Sequence, residues 1–95
     1  MSQPTEQEEL KDFVGRDVVL DTRGEIVYLG NLKAAGSWFL ILDEADVHDL
    51  LDTRTSKEVY IMEAARHGIR KNRRSVHVRK SEVVSISLLE QVILY

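Results

Sequence analysis

The stretch 25-EIVYLGNLKAAGSWFLILDEA-45 decides how this chain is read. It is crowded with β-branched, aromatic and other apolar residues and is punctuated by Gly30 and Gly36. Gly36 separates two apolar runs and is a turn candidate, so the spacing predicts two antiparallel strands, about 25–34 and 37–43. Gly30 falls inside the first strand, where a glycine marks a bulge or a sharp bend. Upstream, Val18, Val19 and Leu20 lead into Thr22-Arg23-Gly24, a hairpin turn, which adds a strand over about 17–22.

Further out, the flanks change period. Thr5-Glu6-Gln7-Glu8 has the form of a capping box, with acids in the first turn where the helix dipole favours them. Leu10, Phe13 and Val14 fall at helical spacing before Gly15, which predicts a helix over roughly 5–14, with residues 1–4 flexible. Downstream, 55-TSKE-58 is a second capping box and opens a helix over about 56–67, with Val59, Met62 and Ala65 on one face and Gly68 as its stop. The segment 75-SVHVRKSEVVSISLL-89 alternates and breaks at Lys80-Ser81, giving two short strands.

Ninety-five residues are expected to form a single domain over 1–95. A chain of this size buries only about 65% of its unfolded surface, so oligomerisation would help it. The absence of cysteine excludes disulfides and thiolate zinc sites. No apolar run approaches membrane-spanning length and the N-terminus is polar and acidic, so a cytoplasmic location and no membrane are the expectation. The net charge of −3 is unevenly spread: residues 1–58 carry 6 Lys/Arg against 13 Asp/Glu, a balance of −7, and residues 59–95 carry 7 against 3, a balance of +4. Such asymmetry suits a polyanion partner, or a subunit that docks positive face to negative face.

With this order of elements the chain resembles the Sm-like family (Sm, LSm and bacterial Hfq). The first motif of the family is approximated by Gly15, Val18, Leu20, Gly24, Gly30, Leu32 and 40-LILD-43, and the second by 78-VRKSEVVSI-86, with Arg79 on the family's Arg and Val83 and Ile86 on its apolar positions. The likeness covers about residues 5–43 and 75–90. It implies a mostly β fold: an N-terminal helix, then a five-stranded, strongly bent antiparallel open barrel, here with a helix inside a strand 3–4 insertion over 44–74. It also implies a homo-oligomeric ring of about five to seven subunits, of the bacterial type, that binds uridine- or adenine-rich single-stranded RNA as a chaperone or regulatory scaffold. The chain departs from the pattern where the family reads a base with an Asp and an Asn. Those positions fall near Gly36 and Phe39, the turn is one residue shorter, and Lys80 replaces the glycine after the Arg.

The candidate nucleic-acid-binding residues are Arg70, Lys71, Arg73, Arg74, Arg79 and Lys80, with Phe39 and Trp38 as stacking rings. Two readings of the basic stretch stand: it holds phosphates, or it pairs with the acids of 43–52 within or between subunits. Phe39 has a plainer role as a core residue of the third strand, with Trp38 as its exposed opposite-face neighbour. His77 is expected to point outward between Val76 and Val78.

Asp43, Glu44, Asp46, His48 and Asp49 have the oxygen-rich character of a divalent-cation loop. They lack the EF-hand spacing, and solvated acids are the commoner outcome, so no metal or other cofactor is expected. The string 43-DEAD-46 also looks like the magnesium-binding motif of a DEAD-box helicase, but none of the five glycines opens a GxxxxGK[ST] phosphate loop. No enzyme is expected. The alternative to RNA binding is an oligomeric scaffold or protein-interaction module that does not bind nucleic acid.

Overall fold

Thr5 caps the first helix as its pattern requires: its hydroxyl accepts from the Glu8 amide at 3.1 Å and the Glu8 carboxylate accepts from the Thr5 amide at 3.4 Å. The computed structural model describes residues 3, 5–52 and 55–95. Residues 1, 2 and 4 of the expected flexible start lie outside these. In chain order the elements are α1 (Glu6–Leu10), β1 (Asp17–Thr22), β2 (Ile26–Ala35), β3 (Phe39–Asp49), α2 (Lys57–His67), β4 (Arg73–Arg79) and β5 (Val83–Leu88), with a 3₁₀ turn after each of α1, β3, β4 and β5. The first helix is shorter than its periodicity suggests. It tightens into 3₁₀ over Lys11–Phe13, so Leu10 and Phe13 reach the core while Val14 is extended and exposed.

The five strands form one antiparallel sheet in the order β4-β3-β2-β1-β5. Alternation gives the sheet two apolar faces. One buries Val18, Leu20, Leu32, Leu40, Leu42, Val78 and Leu88 beneath Leu10 of α1. The other carries Val19, Val27 and Leu29, and α2 covers it with Tyr60, Ile61, Ala64 and Ala65. Each fully buried Leu or Val contributes about 2 kcal/mol, an upper bound because the unfolded chain is itself partly collapsed.

The third strand is the main departure from expectation. It does not end at residue 43 but continues through the acids to Asp49. Alternation holds for Leu40 and Leu42, then shifts phase at Glu44, whose φ of 49° puts it in the left-handed region. After this bulge Ala45 is the core residue, and Asp46 turns to the α2 side. Gly30 of β2 lies opposite the bulge, where pairing slips between Leu29 and Asn31. A Cβ at position 30 would sit 3.0 Å from Ala45 Cβ and 3.2 Å from the Asp43 carbonyl oxygen. The glycine is there because two backbones approach each other.

The connection from β3 to β4 therefore runs over 50–72, not 44–74, and Arg73 and Arg74 belong to a strand. Ser56, not Thr55, caps α2 by accepting from the Val59 amide at 3.2 Å, which places Glu58 one position too early for a capping box. The buried helix face is Tyr60, Ile61, Ala64 and Ala65, while Val59 faces solvent. Because Ala64 is its only fully buried residue, the helix depends on polar ties. Lys57 Nζ donates to Asp21 Oδ1 at 2.5 Å and to the Gly24 carbonyl at 2.9 Å, pinning the helix start to the β1–β2 turn. Asp46, 2% exposed, accepts from the Tyr60 hydroxyl and from Asn72 Nδ2. Asn72 Oδ1 in turn accepts from the Val47 amide at 3.0 Å. This network ties kinked β3 to α2 and to the entry of β4. Burial and the hydrogen bond to Asp46 raise the Tyr60 pKa well above the usual tyrosine range, against a smaller lowering by Arg70.

Candidate nucleic-acid interface

The eight candidate residues separate into two groups at opposite ends of β4. Trp38, Phe39, Arg79 and Lys80 gather where the β2–β3 turn meets the β4–β5 turn, and the Lys80 amide donates to the Trp38 carbonyl at 2.9 Å. Arg70, Lys71, Arg73 and Arg74 lie at the strand's start. Six residues of strand, roughly 20 Å, separate Arg73 from Arg79.

At the first end, Phe39 pairs with Arg79 and Ile41 with His77 across the β3–β4 ladder. Leu40 and Val78 take the core side of the same pairs. Phe39 is thus half-buried on the outer face, and its expected place in the core is taken by Leu40. The Arg79 guanidinium carbon lies 5.5 Å from the Phe39 ring centre, and the exposed His77 ring meets that ring edge-on at 5.9 Å. A cation over an aromatic face is held in place without its charge being neutralised. Trp38, one residue earlier in the turn, is 73% exposed. Neither ring is core, because the turn ends at Trp38 and the alternating strand begins at Phe39.

The charges are not equally available. Lys80 is drawn inward, with its side chain 12% exposed and its Nζ 3.7 Å from a Glu6 carboxylate oxygen. Lys71 stands 3.7 Å from a Glu44 carboxylate oxygen. Among the described residues, Arg70, Arg73, Arg74 and Arg79 have no carboxylate within 4.0 Å. The acids of the 43–52 segment are largely engaged elsewhere. Asp46 serves the buried network, Asp49 accepts from the Leu51 amide at 2.9 Å, and Asp43 lies 4.0 Å from Lys33. Within the chain the two arms meet chiefly as backbone: β3 and β4 pair from Phe39 opposite Arg79 to Ala45 opposite Arg73.

Sequence reasoning missed His77 as a partner of Phe39, although it does point outward. The two-residue period back from Arg79 was the available signal. It also missed Asp46, whose place in a run of acids disguised a buried residue. Among the described residues, no group of three or more His, Cys, Asp or Glu side chains is arranged to hold a metal ion. Among the described residues, no helix is long and apolar enough to cross a membrane.

No family model and no curated protein matches the chain. Among solved structures it is similar to the Sm protein of Pyrococcus abyssii, determined in complex with a uridine heptamer, with a TM-score of 0.59 and 14% identity over 90% of this chain and 99% of that one. At that identity the likeness is one of fold: an N-terminal helix followed by five antiparallel strands, with a helix after the third, is the Sm-like arrangement.

Proposed function

We propose that this protein binds single-stranded RNA, rich in uridine or adenine, as a homo-oligomeric ring of about five to seven subunits that serves as an RNA chaperone or regulatory scaffold. The observation that carries the proposal is the exposed Trp38 indole beside the uncompensated Arg79 guanidinium on Phe39. A base stacks on an aromatic face, and a guanidinium holds a phosphate or a base edge. Arg70, Arg73 and Arg74 form a second positive group at the other end of β4, Arg73 on the face of Arg79 and Arg74 on the opposite one, with Lys71 and Lys80 as lesser contributors because each already faces a glutamate. The uridine heptamer of the Sm protein with the same fold supports the RNA reading.

Ring closure has a physical basis in the sheet order. The edge strands β4 and β5 each leave one side without a partner in the chain, and joining β4 of one copy to β5 of the next removes both edges. Val84, 57% exposed, lies on the edge strand β5 that such a neighbour would meet.

The scaffold reading draws on a different fact. The chain is net negative, and two of the six candidate cations are already ion-paired. Titration of labelled oligo-U, oligo-A and a random DNA strand at several ionic strengths, with the mass of the assembly measured in parallel, separates the readings. RNA binding predicts affinity for oligo-U or oligo-A that falls steeply with salt. A ring that binds none of the strands at about 50 mM salt, where phosphate contacts are least screened, establishes the scaffold reading instead.

A further inference from the structure

A cavity remote from Trp38 and Arg79 has the composition of a small-molecule site. It lies between the end of β3, helix α2 and the segment that leaves the helix, with a volume of about 380 Å³. That is the size of pocket that accepts a nucleotide or a comparable small molecule. Ala64 and Ile69 give it an apolar floor. One wall is the pair His48 and Tyr60, whose rings stack 3.7 Å apart at 9°. The rim carries Glu63, His67 and Arg70. Glu63 and His67 face each other at 3.4 Å, one turn apart on the helix. Among the described residues, Arg70 has no carboxylate within 4.0 Å and is the cation open to a ligand.

His48 adds an independent observation. Its Nε2 is buried and, among the described residues, has no hydrogen-bond partner. Nothing in the ring's packing needs a nitrogen there: the stack on Tyr60 would be served equally by an apolar aromatic. Natural folds leave few such groups unmatched, and those that persist meet a ligand, an ordered water or a strained site. The bulge at Glu44 put His48 on the α2 side of β3, so the nitrogen and the cavity have the same structural origin.

We propose that this cavity binds a small organic anion. Its flat or apolar body rests on Ala64 and Ile69 against the His48–Tyr60 wall, and its acid group meets the Arg70 guanidinium in bidentate geometry. A polar edge of the ligand, met by a small outward turn of the imidazole, supplies the hydrogen bond that His48 Nε2 lacks. A nucleotide phosphate and the carboxylate of an aromatic acid present this same chemistry, and the probes distinguish them. Arg70 is the one residue this site shares with the proposed RNA surface, and the stacking site at Trp38 and Phe39 lies at the other end of the sheet. Nine residues of strand, roughly 25–30 Å, separate Phe39 from His48.

The test titrates the full chain with uridine 5′-monophosphate, adenosine 5′-monophosphate, phenylacetate and inorganic phosphate up to about 5 mM, an affinity range open to a ligand this small. Imidazole resonances and the Trp38 indole resonance are followed by NMR, and thermal midpoints are measured in parallel. The expected result is that at least one organic anion moves the His48 signals and raises the midpoint while the Trp38 signal stays in place. Arg70→Ala and Arg70→Gln should each weaken that anion at least tenfold, the value of one charge-assisted contact. His48→Phe should weaken its binding about two- to tenfold while raising the midpoint of the free protein, since it keeps the stack and removes the unmatched nitrogen. The proposal is overturned if none of the organic anions moves the His48 signals. It is equally overturned if inorganic phosphate alone acts, or if His48→Phe retains full binding.

Discussion

Replacing Tyr60 by Phe tests how α2 is held to the sheet. The substitution keeps the ring stacked on His48 and removes only the hydroxyl that donates to the buried carboxylate of Asp46. A hydrogen bond to a charged acceptor contributes about 1.5–3 kcal/mol. Asp46 retains Asn72 as a donor at 3.0 Å, so its charge is not abandoned and the loss falls near the middle of that range, about 2 kcal/mol at neutral pH. The pH dependence is more diagnostic. Burial and the Asp46 bond raise the folded-state pKa of Tyr60 above its unfolded value near 10. A raised pKa means that the stabilisation is fully present below the unfolded pKa and is lost as pH climbs toward the folded one. Between about pH 8 and pH 11 the wild-type protein should lose about 1.4 kcal/mol that Tyr60→Phe does not lose, most of it above about pH 10. The stability gap should therefore narrow from about 2 kcal/mol at about pH 8 to about 0.6 kcal/mol at about pH 11. Urea unfolding followed by circular dichroism at about pH 8, 10 and 11 reads this directly, and Tyr28 and Tyr95 cancel because both proteins contain them. A gap that stays constant to about pH 11 would refute the claim that the fold holds Tyr60 neutral against Asp46.

Other substitutions probe the remaining contacts. Gly30→Ala drives a Cβ into Ala45 and the Asp43 carbonyl, both on the opposing strand, and should cost about 1–3 kcal/mol in chemical denaturation. Lys57→Met leaves the Asp21 carboxylate and the Gly24 carbonyl without their donor; a loss of about 1–2 kcal/mol, with exchange protection falling first in α2 and the β1–β2 turn, is expected by hydrogen exchange. Trp38 is the sole tryptophan, so oligo-U binding should change its fluorescence; Trp38→Ala should weaken that binding by about 1–3 kcal/mol and leave the unfolding midpoint unchanged. Arg73→Ala and Arg74→Ala should each flatten the plot of log affinity against log salt by about 0.7, a value specific to single-strand phosphate contact.

Much of the scaffold was legible before any coordinates. The capping box at Thr5–Glu8, the turns at Arg23-Gly24 and Gly36, and the break at Lys80–Glu82 are all where local chemistry puts them. Such signals survive because they depend on neighbours within four residues. The errors share one cause. Strand β3 seemed to stop at Asp43 because its alternation failed there, yet the strand had changed phase through a bulge rather than ended. A bulge is stabilised by the partner strand, here by Gly30 across the ladder, and a single strand's periodicity cannot register that. The helix face was misassigned for a related reason: α2 has weak amphipathic contrast, and Lys57 and Tyr60 fix its rotation through contacts with β1 and β3.

The candidate site divides in the same way. Sequence alone picked out the basic residues and the two rings, since charge and residue type are local facts. Which cations are free was a tertiary matter: Lys80 and Lys71 meet glutamates from α1 and from the bulge, while Arg70, Arg73, Arg74 and Arg79 do not. The sequence determined that this chain makes a short helix and a bent antiparallel sheet of five strands, because apolar period, glycine placement and capping act over a few residues. The tertiary structure decided that 43-DEADVHD-49 is a strand with Asp46 at the centre of a buried polar network. A carboxylate in a sequence is solvated by default, and only Tyr60, Asn72 and the covering helix, brought from 14 and 26 residues away, make its burial affordable.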